Sequence, residues 1–120
     1  MNKFITSDKL IFVNIKESYE AFKQNDKKNP LYRNSVYDCT RMYWKIADSK
    51  VSNATHILGC YKGKVIEVIN IKHFSVVPDG EYKGRKIFVG IEDPNSQYMG
   101  FDLHEIFDSL ANFRTKYWNL

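Results

Sequence analysis

The stretch Thr55–Glu92, THILGCYKGKVIEVINIKHFSVVPDGEYKGRKIFVGIE, constrains the fold more than any other part of the chain. It reads as three consecutive strands joined by two turns. His56–Tyr61 is short, apolar and rich in strand formers, and Lys62-Gly63 follows it. Gly at the second turn position supplies the positive φ that a tight hairpin needs. Lys64–Phe74 then carries Val65, Ile66, Val68, Ile69 and Ile71, and a run this rich in β-branched residues favours strand over helix. Its apolar positions do not alternate cleanly. Ile66 and Val68 read as sharing one face, Ile69 and Ile71 the other, so a bulge or a sharply coiled strand is expected. Pro78-Asp79-Gly80 marks a turn. Arg85–Ile91 returns with Ile87, Val89 and Ile91 on one face, and Asp93-Pro94-Asn95 stops it.

A chain of 120 residues fits one domain, taken here as 1–120. Its 43% hydrophobic and 15% aromatic content suffices for a packed core without metal or disulfide support. The formal charge of +4 permits a phosphate-bearing partner without demanding one. Cys39 and Cys60 are the only cysteines. No secretory apolar segment precedes them, so two free thiols in a reducing cytosol are expected. No window reaches the apolar length that spans a bilayer, so no membrane partner is expected. There is no CxxC, and His56, His73 and His104 are widely spaced, so neither a metal nor another cofactor is expected.

Elsewhere the chain alternates short elements. Met1–Asp8 reads as a loose start. Lys9–Ile15, KLIFVNI, is apolar on both faces and should be a central or covered strand. Ser18 is expected to cap a short helix containing Ala21 and Phe22, and Gln24–Pro30 is a loop. Ser35, with Asp38 three residues on, is expected to cap a helix over Val36–Ala47. There Cys39, Met42, Tyr43 and Ile46 form one stripe, and Tyr37, Arg41 and Trp44 a neighbouring one. Asp102–Leu110 reads as a short helix capped by Asp102, and Phe113–Leu120 as a closing strand.

At YDCTRMYWKI, then THILGCYKGKVIEVINI, then GRKIFVG, the chain resembles the PUA-like superfamily, most of all its small EVE, ASCH and related single-domain members. The residues that carry the resemblance are Arg41 and Trp44, Tyr61 with Gly63, Phe74, and Gly84, Arg85 and Phe88. It covers Lys9 to Leu120. The chain lacks the N-terminal tryptophan that the EVE pattern has beside its first strand. The resemblance implies an α+β fold, a PUA-like mixed β-barrel with flanking short helices. It also implies that one open side binds RNA or DNA through a single-stranded or flipped nucleotide, modified bases included. An unpaired base offers two π faces and a polar edge, so aromatic walls and a few donors suffice to read it.

On this reading the nucleic-acid pocket lies beside helix 36–47. Its residues are Arg41 and Trp44 first, then Tyr37, Tyr61, Phe74 and Arg85. Each has a plainer reading: the aromatics as core, Arg41 as an ion pair or a lid on Trp44, and Arg85 as a solvated strand end. Lys62 and Lys64 read as solvated charges within reach of a phosphate backbone. Two other functions stay open. A hydrolase would use Asp102, His104, Glu105 and Asp108, although acids in a first helical turn are also explained by capping. A protein-interaction module, in a defence or toxin–antitoxin setting, would dock through Tyr117-Trp118. No G-x-S-x-G motif, phosphate-binding Gly-rich loop or adjacent Cys/His pair supports nucleophilic catalysis.

Overall fold

A computed structural model describes residues 6–120; the expectation for the start of the chain lies largely outside them. In chain order the elements are β1 (Leu10–Asn14), α1 (Lys16–Lys23), α2 (Val36–Arg41), β2 (Met42–Trp44), α3 (Asp48–Val51), β3 (His56–Tyr61), β4 (Lys64–Val76), β5 (Lys86–Glu92), a 3-10 turn at Leu103–Glu105 and β6 (Thr115–Trp118). The fold is mixed α+β. Its strands form one curled sheet, a half-barrel, in the order β2-β5-β4-β3-β1-β6. β1 runs parallel to β3 and every other pairing is antiparallel.

The β3–β4–β5 meander forms as the turn chemistry predicts. Lys62 and Gly63 take φ values of 52° and 80°, the left-handed pair of a two-residue hairpin turn. β4 bulges as expected, but its faces differ from the expected ones. Cys60 pairs with Val65 and Gly59 with Glu67, which leaves Ile66 as the extra residue. The change of face therefore falls before Val68. Ile66 packs with Ile69 and Ile71, while Val65 and Val68 pack on the opposite side. A second shift, between Ile71 and His73, adds to the curl.

Both faces of the central strands are covered. Leu10, Ile11, Phe12 and Val13 of β1 have no exposed surface. Ile11 and Val13 join Ile57, Ile69, Phe88 and the helical Cys39 in one layer, called the inner layer. Leu10 and Phe12 join Leu58, Val65, Val68 and Leu103 in the other, the outer layer. Burying a side chain of this size contributes about 1.5–3 kcal/mol. On β5, Ile87, Val89 and Ile91 do share a face, but it is the outer one, and Ile91 is 57% exposed. Phe88 takes the core instead. Lys86 is buried beside it, with its ammonium 2.9 Å from Asp48.

The helix expected over 36–47 ends at Arg41. Ser35 caps it as expected, accepting from the Asp38 N–H at 3.0 Å. Met42 then pairs with Ile87 and Trp44 with Lys86, so β2 extends the sheet along the exposed edge of β5. Tertiary pairing outweighs helical periodicity here. The Trp44 indole N–H donates to the Thr40 carbonyl at 2.7 Å, one of the carbonyls left open where the helix stops. α2 approaches β3 at Gly59, where a Cβ would collide with the Thr40 hydroxyl. Ser18 lies inside α1 rather than at its cap; Ile15 holds the cap position without a side-chain bond, and the Asn14 side chain just before it accepts from the Lys16 N–H. Over 102–110 only the 3-10 turn forms, with Asp102 accepting from the His104 N–H.

Candidate functional site

β2 and β6 are the two outer strands of the sheet. A cleft of about 640 Å³ is lined from both of these sides. One wall is built from the end of β1 (Asn14), the start of α1 (Glu17, Ser18) and the approach to β6 (Asn112–Thr115). The other is built from Leu31 and Arg33 before α2, Met42–Lys45 at β2, and Tyr82 and Arg85 before β5. The cleft thus occupies the seam that a closed barrel would not have. Its volume falls within the roughly 300–1,000 Å³ typical of pockets that bury one small ligand.

The charges in the cleft are unequal. Arg33, Lys45, Arg85 and Arg114 line it, against one carboxylate, Glu17. Among the described residues none of these four cations forms an ion pair, whereas Arg41 binds Asp38 and Lys86 binds Asp48. Two of the arginines belong to an aromatic stack. The Tyr43 and Tyr82 rings lie 4.4 Å apart and 11° from parallel. The Arg33 guanidinium sits 5.1 Å from the Tyr43 centroid, and that of Arg85 5.2 Å from Tyr82. Each arginine also donates to backbone: Arg33 to the Tyr32 carbonyl at 2.9 Å and the Pro30 carbonyl at 3.2 Å, Arg85 to the Tyr43 carbonyl at 3.4 Å. Cation–π contact and backbone bonds orient each of these two guanidiniums. Cys39 also lines the cleft, but burial pushes its thiol up, away from the thiolate that a nucleophile needs.

Two of the six residues singled out in the sequence, Trp44 and Arg85, line the cleft. The other four lie elsewhere. The Tyr37 hydroxyl donates to the Gly90 carbonyl and accepts from the Gly90 N–H, closing part of the β5 edge. Arg41 pairs with Asp38 at 2.7 Å and lies over Tyr37. Tyr61 donates to Glu20 and meets Tyr19 edge-on. Phe74 packs against the inner layer. Arg33, Tyr43, Lys45, Tyr82 and Arg114 were missed. For Tyr82 and Arg85 a signal existed: Tyr82-Lys83-Gly84-Arg85 is a turn, with Gly84 at φ 85° and the Arg85 N–H bonded to the Tyr82 carbonyl. Such a turn brings its first and last side chains together.

The acidic residues near the 3-10 turn do not gather in this cleft. His104 lies 3.0 Å from Asp102 at the surface, and its bonds hold the Asp102 carboxyl below its ordinary range. Glu105 and Asp108 are exposed. No group of three or more His, Cys, Asp or Glu is placed to hold a metal among the described residues. Trp118 is half-buried and meets Phe107 edge-on in the outer layer. No helix among the described residues is long and apolar enough to cross a membrane. Comparison with family models, curated proteins and solved structures found no match to the chain.

Proposed function

We propose that the chain is a PUA-like nucleic-acid-binding module that holds one unpaired nucleotide, modified bases included, in the cleft between β2 and β6. The observation that carries the reading is the set of four cations, none in an ion pair among the described residues, around a cleft that Tyr43, Trp44 and Tyr82 also line. Cations without counter-ions attract a polyanion, and aromatic rings stack a base for about 1–3 kcal/mol. The pocket is not beside a long helix but between the two outer strands, so Trp44 and Arg85 keep their proposed role. Tyr37, Arg41, Tyr61 and Phe74 become supports of the fold.

The test is a fluorescence-anisotropy titration of labelled single-stranded DNA and RNA, with and without modified cytosines. Each is run at 50 mM and 200 mM salt. Three phosphate contacts give a log–log salt slope of about −2, so affinity should fall about 20-fold between these conditions. Absence of binding at 50 mM salt would defeat the reading.

A further inference from the structure

We infer that Glu17 makes the cleft selective for guanine, its carboxylate accepting from the two adjacent donors on the Watson–Crick edge of one unpaired guanine nucleotide. The inference rests on the nucleic-acid reading above and names the base that the cleft receives.

The division between the two walls is the first argument. Arg33, Lys45 and Arg85 lie on the β2 side of the cleft. Glu17 lies on the other side, in the first turn of α1, with Arg114 the one cation on that side. A volume of about 640 Å³ accommodates one nucleotide-sized ligand. When the β2 side attracts its phosphate, the rest of the nucleotide meets the α1 side. A carboxylate there repels phosphate, so it favours a ligand that turns hydrogen-bond donors towards α1.

Hydrogen-bonding capacity is the second. Most neutral polar side chains on the α1 side are committed within the fold. Asn14 donates to the Phe113 carbonyl and accepts from the Lys16 N–H. Ser18 donates to the Ile15 carbonyl, and the Thr115 hydroxyl bonds to that of Tyr117. Glu17 is exposed and has neither a hydrogen bond nor an ion pair from its side chain among the described residues. Its carboxylate offers two acceptor oxygens and no donor, whereas the four cations offer donors alone. Glu17 is therefore the strongest acceptor side chain in the cleft. Guanine is the one common base that sets two donors side by side on its Watson–Crick edge, N1–H and the exocyclic amine at C2. Both carboxylate oxygens can accept from that pair at once. Adenine and cytosine place an acceptor nitrogen beside their amine, and thymine and uracil flank their N–H with carbonyls. A carboxylate facing those edges meets a lone pair beside each donor.

The experiment titrates labelled thymidine pentanucleotides whose central base is guanine, hypoxanthine, adenine, cytosine or thymine, at 50 mM salt. The guanine strand should bind at least about 10-fold more tightly than the thymine strand. Hypoxanthine keeps N1–H and lacks the amine at C2, so its strand should bind at least about threefold less tightly than the guanine strand. Glu17→Gln replaces one acceptor oxygen by a donor. It should shrink the guanine-over-thymine ratio below about threefold and tighten binding of the thymine strand, because a negative charge leaves the cleft. A variant that keeps the wild-type ratio overturns the inference and leaves Glu17 as a first-turn acid of α1 alone. If circular dichroism shows the variant unfolded, the hypoxanthine comparison on the wild type decides, and equal binding of the guanine and hypoxanthine strands overturns the inference. Equal binding of all five strands, or preference for another base, overturns it and leaves the nucleic-acid reading standing. Binding by none overturns both.

Discussion

Glu67→Gln tests the electrostatics of the sheet. Glu67 is 6% exposed, and its carboxylate accepts from the Val68 N–H at 3.1 Å. Burial pushes its pKa from 4.5 up to about 8, and a hydrogen bond to the Glu92 carboxyl and that group's charge push the same way. The native state therefore holds this proton more tightly than the unfolded chain does. As pH rises from 4.5 towards 8, the unfolded chain loses the proton first, and stability falls across that window. Each pH unit of separation corresponds to about 1.4 kcal/mol. The loss on going from pH 5 to pH 9 is thus about 3–5 kcal/mol, the lower figure allowing for Glu92 taking part of the titration. Glutamine stays neutral, can accept from Val68 and can donate to Glu92. The variant should match the wild type within about 1 kcal/mol at pH 5 and exceed it by about 3–5 kcal/mol at pH 9. Urea unfolding followed by tryptophan fluorescence at five pH values and constant ionic strength measures this. A wild-type stability that is flat from pH 5 to 9, or a variant that keeps the wild-type slope, would refute the reasoning.

Three further substitutions probe other joints. Phe12→Ala empties a fully buried site in the outer layer. It should cost about 3–5 kcal/mol in urea unfolding. Tyr37→Phe removes both hydrogen bonds to the Gly90 backbone. It should cost about 1–3 kcal/mol while oligonucleotide affinity stays within twofold, because Tyr37 does not line the cleft. Ser35→Ala removes the α2 cap and should lower stability by about 0.5–2 kcal/mol in the same assay.

Where local chemistry decides the structure, the residues announced it. Gly63 after Lys62 fixes a hairpin through backbone φ alone, and Ser35 caps α2 by a bond to a residue three positions away. β1 was legible because apolar residues on both faces have one destination, the middle of a covered sheet. The failures share a cause. Met42–Trp44 has helical spacing, but what decides its conformation is the free edge of β5, more than forty residues later in the chain. Ile87, Val89 and Ile91 share a face as their spacing says, but spacing alone does not say which face of β5 is covered; that depends on where α2 docks, and Gly59 on another strand admits its close approach. The cleft was half legible for the same reason. Trp44 and Arg85 stand near motifs, whereas Arg33, Tyr82 and Arg114 sit in loops that meet only when the sheet curls.

The two indole N–H resonances give the most direct measurement. Trp44 lines the cleft, and Trp118 packs in the outer layer beside Phe107. In a nitrogen-15 correlation spectrum recorded during titration with a single-stranded pentanucleotide at 50 mM salt, the Trp44 signal should move progressively to saturation. The Trp118 signal should stay in place. A stationary Trp44 signal, or a shift confined to Trp118, would contradict the account.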